Sequence, residues 1–325
     1  MTPKYKVVVT DYEYQSLHWE EKEVSSVGGI LVPCQLKTEQ ELIDECKDAD
    51  ALLVQYAKIT RKVIENLEKC KVIVRYGVGV DSLDIEAATE HGIYVANVPD
   101  YGLEDVADHA MALLLAAARK VLYLHHKVVN DEWDYKLAKP LYRLRGKTLG
   151  LMAFGNIAKM VANKAKAFGI NVLVYDPYLS EKIANEYEVS LVDFDTLIKT
   201  SDFISIHAPV TPETYQIFNQ SVFKQMKPSC IIVNTARGAL INENDLVEAL
   251  EKGYIAGAAL DVTDPEPISK DSKLKTMENV IITPHAAWYT EEAQDSLQRQ
   301  AAQEVARVLS GEKPLNLVNK LVQPK

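Results

Sequence analysis

One stretch limits what this chain can become: Lys147 to Pro177, KTLGLMAFGNIAKMVANKAKAFGINVLVYDP. Its apolar run, Leu149 to Phe154, is short and continuous, as in a parallel strand buried on both faces. Gly155 supplies a turn. Ile157 to Phe168 follows at helical spacing and meets Gly169, where helices usually stop. A second β-rich run, Val172 to Tyr175, ends in Asp176. Strand, glycine, helix, strand and acid in this order make a dinucleotide-binding unit. The glycine turn lets backbone N–H groups at the helix N-terminus approach a pyrophosphate. Asp176 lies about twenty residues past the turn, where an acid accepts hydrogen bonds from an adenosine ribose. The G-x-G-x-x-G fingerprint stands here as Ala153-Phe154-Gly155-Asn156-Ile157-Ala158. The middle glycine is kept. Ala158 still permits close helix–strand packing, but Ala153 puts a methyl group at the tight turn.

The segments around this unit set the organisation. Strands are predicted at Lys6–Thr10, Ala51–Gln55, Val72–Arg75 and Ile93–Asn97, with helices between them. Thr38 with Glu41 reads as a capping box, Thr60 caps the next helix, and Asp84 starts a third that ends at Gly92. Alternating β and α elements predict a parallel sheet. A long helix from about Leu103 to Val128 leads into a polar arm, 130–147, bearing Trp133, Tyr135 and Tyr142. Later strands are expected at Phe203–His207, Ile231–Asn234, Ala256–Asp261 and Val280–Thr283. Asn242 caps a helix that stops at Gly253, and a final helix covers 290–311. The expected fold is α/β, with two doubly wound parallel-sheet, Rossmann-like domains. A discontinuous, flavodoxin-like substrate domain, 1–99 and 290–325, receives the cofactor domain, 100–289, as an insertion. The cleft between domains is then the expected site.

Composition excludes other classes. A net charge of −10 argues against direct nucleic-acid binding and against anionic membranes. The first ten residues hold no secretory apolar core, and the apolar pattern 106–124 is broken by Asp108, His109, Arg119 and Lys120. Cys34, Cys46, Cys70 and Cys230 have neither C-x-x-C nor zinc spacing, so a reduced, cytoplasmic protein without a metal site is expected.

Chemistry gathers after the late strands. Asn234 is followed by Thr235-Ala236-Arg237-Gly238, Leu260 by Asp261 through Glu266-Pro267, and Ile282 by Thr283-Pro284-His285. In a doubly wound sheet, ligands bind outside the carboxyl ends of the strands. Singly, each residue has a plainer reading: Arg237 as a surface ion pair, Glu266 as a solvated acid, His285 as a structural ring. At three strand ends of one sheet they form a set. Arg237 grips a carboxylate, His285 serves as general acid or base, and Glu266 holds the imidazole in one tautomer and favours its protonated form. A nicotinamide beside them supplies or accepts hydride. After Val72–Arg75, two glycines in Tyr76-Gly77-Val78-Gly79 free amides to face an anion, and Arg75 adds charge.

The motifs N-T-A-R-G, D-V-x-x-x-E-P and T-P-H together resemble the D-isomer-specific 2-hydroxyacid dehydrogenase family. The resemblance runs from Val72 at least to Lys320. VRYGVGVDSLD (Val74–Asp84), AKAFGINVLVYDPYLS (Ala165–Ser180) and PHAAWYTEEA (Pro284–Ala293) are most similar to its C-terminal binding protein branch. The resemblance implies Arg237, Glu266 and His285 as the catalytic residues. It implies Arg75-Tyr76-Gly77-Val78-Gly79 as the loop for the substrate carboxylate. It implies NAD contacts at Val78, Gly155, Asn156, Ile157, Asp176, Ala208, Pro209, Thr214, Thr235, Ala236, Arg237, Asp261 and His285. Trp288 either caps the substrate pocket or packs in a domain interface.

The expected activity is reversible reduction of a 2-keto acid to a D-2-hydroxy acid, with hydride from NADH and His285 as general acid. Tyr76 is the next candidate for proton donor. An NAD-sensing, corepressor-like scaffold and a phosphoglycerate dehydrogenase are the alternatives; the complete Arg–Glu–His set favours an enzyme. Asp176 sits where the 2′-phosphate of NADP would fall, which predicts a preference for NADH. The aromatic arm and the family resemblance predict a homodimer through the cofactor domains.

Overall fold

The computed structural model describes residues 3–324; Met1, Thr2 and Lys325, the ends of the predicted terminal segments, lie outside the described residues. The chain divides into two compact units, Met1–Gly102 with Thr290–Lys325, and Leu103–Tyr289. The first begins with β1 (Tyr5–Val9), α1 (His18–Ser26), β2 (Gly29–Pro33), α2 (Glu39–Cys46), β3 (Ala51–Val54), α3 (Arg61–Glu65), β4 (Val72–Arg75), α4 (Ile85–Glu90) and β5 (Tyr94–Ala96). The second opens with α5 (Leu103–Ala118) and α6 (Val121–Val129). It continues through β6 (Thr148–Met152), α7 (Asn156–Ala167), β7 (Asn171–Tyr175), α8 (Glu181–Glu186), β8 (Ser190–Leu191), α9 (Phe194–Thr200) and β9 (Phe203–Ile206). It ends with α10 (Gln220–Phe223), β10 (Ile231–Asn234), α11 (Glu243–Glu251), β11 (Gly257–Leu260) and β12 (Val280–Ile282). α12 (Glu291–Leu309) belongs to the first unit.

Both sheets are parallel, as the alternating pattern predicts. Their orders are β2-β1-β3-β4-β5 and β12-β11-β10-β9-β6-β7-β8. In the first, β1 lies between β2 and β3; in the second, β6 lies between β9 and β7. Chain order reverses at these points, where open α/β sheets bind ligands. After β1, however, the Asp11 carboxylate accepts N–H groups from Gln55 (3.2 Å), Tyr56 (2.6 Å) and Ala57 (3.2 Å), and a hydroxyl from Thr10.

Local chemistry places the helices. Thr38 and Glu41 cap α2 reciprocally, and Thr60, Asp84 and Asn242 accept first-turn N–H groups of α3, α4 and α11. α7 buries Ala158, Val161, Ala162 and Ala165 on one stripe against Leu149, Leu151, Val172 and Val174. The small residues let helix and sheet approach closely. In the first unit, α12 is capped by Thr290 and buries Leu297, Ala301, Ala302, Val305 and Val308. Each buried Leu or Val there contributes roughly 1.5–3 kcal/mol. The helix packs on α1, β3 and β4.

The long helix expected over 103–128 is two helices. α5 buries Ala107, Ala110, Met111, Leu113 and Leu114, but its apolar face ends at Arg119-Lys120. Lys120 takes φ 51, a left-handed conformation that interrupts the helical ladder. α6 buries none of its residues. Elements absent from the sequence reading are α1, β2, α8, β8, α9 and α10. β2 shows no clear alternation of burial, and α1 buries only Glu20 and Val24.

Candidate active site

The glycine turn of the second unit joins β6 to α7. Ala153 is held at φ 69, the left-handed conformation that the missing glycine would adopt freely. Its N–H donates to Tyr175 O across the sheet (2.8 Å). Gly155 is the N-cap of α7 without any side-chain cap, and a Cβ built on it would meet nothing within 4 Å. The N–H groups of Asn156, Ile157 and Ala158 find no acceptor among the described residues. The dipole of this 12-residue helix and its open amides together suit its N-terminus to an anion. Asp176, after β7, accepts from Phe154 N–H (2.9 Å) and Tyr178 N–H (2.8 Å). It thus ties the turn to β7, and each oxygen keeps a lone pair for a ribose hydroxyl. Across the same edge, Thr214 Oγ1 donates to Pro209 O (2.7 Å) and closes the loop that begins at Ala208. The buried Thr235 hydroxyl has no partner among the described residues. Open helix amides, the room beside Gly155, the acid after β7 and the Thr235 hydroxyl fit a dinucleotide.

The Arg–Glu–His set stands on three neighbouring strand ends. His285 Nδ1 lies 2.7 Å from Glu266 Oε2, so Nδ1–H donates to the carboxylate and Nε2 is left for chemistry. Thr263 N–H holds the other oxygen, Oε1, at 3.2 Å. Desolvation pushes the Glu266 carboxyl up, but the His285 hydrogen bond and charge, the Thr263 amide and the Arg237 charge outweigh it. The group is held below the usual carboxylate value. Arg237 Nη1 donates to Ala236 O (2.7 Å). The loops carrying Arg237 and Glu266 abut so closely that a Cβ on Gly238 would overlap the Thr263 carbonyl. Only glycine fits after the arginine. Trp288 is partly buried and meets Tyr289 edge-on, with centroids 5.7 Å apart.

Several positioning residues escaped the sequence reading. Asn234, fully buried, ties the turn after β10 by accepting Ala236 N–H (3.0 Å) and donating to Arg237 O (2.9 Å). Asp261 was expected only as a cofactor contact. Its buried carboxylate accepts from Ala286 N–H, Ala287 N–H (each 2.9 Å) and Thr283 Oγ1 (2.5 Å). His285 N–H donates to Asp261 O (2.8 Å). This clamp holds His285 at φ 52, a strained conformation for a residue with a Cβ. His109 of α5 adds a contact, Nε2 to Thr283 Oγ1 at 3.0 Å. Just before Ala208, burial pushes His207 down to about 4, so its ring is neutral; Nε2 lies 2.9 Å from Ser205 Oγ. A polar residue inside a buried strand end is the signal that could have found Asn234 and Asp261.

In the first unit the loop after β4 presents a second set of open amides. Gly77 takes φ 128, and a Cβ there would overlap the Arg75 guanidinium. The Gly77, Val78 and Gly79 N–H groups find no acceptor among the described residues. Tyr76, the first residue after β4, is buried. Its N–H donates to Val54 O (2.8 Å), and its buried hydroxyl donates to Glu20 Oε1 (2.7 Å). The large ring is packed in the core, and Glu20 engages its hydroxyl.

The chain is similar to known proteins over most of its length. Residues 111–287 match the family described as D-isomer specific 2-hydroxyacid dehydrogenase, NAD binding domain. The chain is 46% identical over 317 residues to a D-3-phosphoglycerate dehydrogenase of Methanocaldococcus jannaschii, covering 97% of this chain but 59% of that protein. It is 41% identical over 290 residues to a glyoxylate reductase of Thermococcus litoralis, covering 86% of each. Among solved structures, a D-lactate dehydrogenase of Aquifex aeolicus, complexed with NAD and lactic acid, superposes with a TM-score of 0.87 at 27% identity. The match covers 98% of this chain and 100% of that one.

Proposed function

The chain belongs to the D-isomer specific 2-hydroxyacid dehydrogenase family, and from that membership we propose that it reduces a small 2-keto acid to the D-2-hydroxy acid. The matched region is the family's NAD-binding domain, and the cofactor is NAD. The observation that carries the reading is the His285–Glu266 pair at 2.7 Å, on the same sheet edge as the open N-terminus of α7.

When bound, NADH supplies a hydride from its nicotinamide. The protein's residues do the rest. Arg237 binds the substrate carboxylate, and in the other unit the open Gly77–Gly79 amides are suited to an anion. Protonated His285 gives its Nε2 proton to the ketone oxygen as the hydride adds to carbon, and takes it back in the oxidation. Glu266 accepts Nδ1–H throughout, which fixes the tautomer and stabilises the imidazolium. Unit Leu103–Tyr289 is the cofactor domain and the other unit the substrate domain.

The test is a panel of glyoxylate, hydroxypyruvate, pyruvate, phenylpyruvate and longer 2-keto acids, followed by NADH absorbance. Turnover of at least one, with the D product on a chiral column, is expected; no turnover of any would overturn the reading. The identity to a phosphoglycerate dehydrogenase favours a second reading, so D-3-phosphoglycerate with NAD belongs in the same panel.

The assembly proposed is a homodimer. α6 buries nothing, and Val129 (65% exposed), Trp133 (88%) and Tyr135 (76%) leave apolar surface on the arm of the second unit. A monomer mass by light scattering at micromolar concentration would contradict it. Among the described residues no helix is long and apolar enough to cross a membrane. The four cysteines are free, in keeping with a cytoplasmic protein.

A further inference from the structure

The first unit holds a buried polar cluster that the proposed chemistry does not use. Glu20 of α1 is fully buried, as are nearly all of Tyr76 and of Gln298 on α12. Glu20 Oε1 accepts the Tyr76 hydroxyl at 2.7 Å. Gln298 Nε2 donates to both Glu20 oxygens (3.2 and 3.3 Å) and to Ser16 O (2.8 Å). Tyr14 meets the Tyr76 ring edge-on at 5.2 Å and limits its orientation. Burial pushes the Glu20 carboxyl up, against the Tyr76 and Gln298 donors that draw it down. A carboxyl with no solvent is costly to keep, and an apolar residue would fill this space more cheaply. Something other than stability accounts for its presence.

The next residue in the chain suggests what. Gly77 begins the anion loop, and glycine alone imposes little direction on the backbone. Direction has to come from both sides. On the far side, Val98 N–H donates to Gly77 O (3.0 Å) and Asn97 Nδ2 donates to Val78 O (2.7 Å). On the near side, Tyr76 is held at its N–H by β3 and at its hydroxyl by Glu20. With the carbonyls fixed inward, the Gly77–Gly79 amides are left to face an anion.

We propose that Glu20 and Gln298 are positioning residues for the substrate-carboxylate loop, acting through the Tyr76 hydroxyl. The proposal rests on the reading that this loop binds the carboxylate of the keto acid. Loss of the bracket loosens the loop, weakens substrate binding and leaves proton and hydride transfer untouched.

The experiment uses the full chain with Tyr76→Phe, which removes one hydroxyl and keeps the ring, and Glu20→Gln, which keeps the volume. With the best keto acid of the panel, KM is expected to rise about tenfold in Tyr76→Phe while kcat stays within about twofold, the scale of one charge-assisted hydrogen bond. Glu20→Gln should raise KM less, because its amide oxygen still accepts the hydroxyl. A second readout needs no substrate: the Val98 amide, held by the Gly77 carbonyl, should exchange with deuterium faster in Tyr76→Phe. Val8 and Leu52 amides in β1 and β3 should not change. A fall in kcat at constant KM, or unchanged Val98 exchange, would overturn the proposal. If the native protein turns over no keto acid, the functional reading fails by itself and the exchange result still decides the bracket. If Glu20→Gln does not fold, Tyr76→Phe decides alone.

Discussion

The two sheets meet the same architectural opportunity and treat it in opposite ways. At the reversal point of the first, the amides of Gln55, Tyr56 and Ala57 converge on the Asp11 carboxylate. At that of the second, the first α7 amides find no acceptor among the described residues, and Gly155 leaves room beyond them. Both points lie outside the carboxyl ends of parallel strands, so the fold alone does not decide which binds a nucleotide. One internal acid closes the first; one glycine without a capping side chain opens the second. In the first unit the open amides lie instead on the Gly77–Gly79 loop after β4.

The comparison can be broken at its strongest point by removing the proton donor from the second edge. His285→Ala should cost roughly two to four orders of magnitude in kcat and leave NADH affinity, measured by calorimetry, nearly unchanged. Lost NADH binding would make His285 a cofactor contact instead. On the closed edge, Asp11→Ala strands three amides and should cost about 3 kcal/mol of stability, read from the denaturant midpoint. NADH affinity should not move; if it did, the first edge would be no bystander. On the open edge, Asp176 should give NADH a preference over NADPH of at least about tenfold, or roughly 1.4 kcal/mol, through repulsion of the 2′-phosphate. Asp176→Ser should narrow that gap, and equal kcat/KM for both cofactors in the native protein would remove its role.

The acid–base pair refines the picture. Reduction needs a proton on Nε2, and Glu266→Gln, which weakens the acceptor of Nδ1–H, should lower kcat for reduction. Because the Glu266 carboxyl is held low in the fold, its stabilising contribution is complete above the unfolded value of 4.5. It is lost only as pH falls through the lowered folded value. The difference in melting temperature between the native protein and Glu266→Gln should therefore stay constant as pH falls to about 4.5 and shrink below it; a difference that shrinks earlier would mean that the pair is not formed. The smallest effect is at the turn itself. Ala153→Gly relieves a left-handed alanine and should stabilise the protein by about 1 kcal/mol.

What was readable in the sequence was what is encoded locally. The β6–Gly155–α7–β7 unit declares itself by period and punctuation, and Thr38, Thr60, Asp84 and Asn242 mark helix starts because caps act within one turn. Arg237, Glu266 and His285 were legible because each follows a recognisable strand. What was missed depends on partners far along the chain. β2 is recognisable only beside β1, and α1 only beneath α12. The acceptor of the Tyr76 hydroxyl, Glu20, lies more than fifty residues earlier in the chain. The Asp261 clamp joins residues on two different strand ends. The break at Lys120 is a single residue's backbone choice, which apolar spacing does not report.

α12 has a consequence for how the protein is made. Leu103–Tyr289 is continuous in sequence, so on the ribosome it holds every strand of its sheet once Tyr289 has emerged. The unit that precedes it is synthesised first but lacks the helix that covers β3, β4 and α1. Asn319, which accepts Val95 N–H and donates to Ile93 O, arrives later still. The order of completion therefore inverts the order of synthesis, and the early strands wait with an apolar face uncovered. During that interval the nascent chain is most exposed to chaperones, to proteases and to its own neighbours on a polysome.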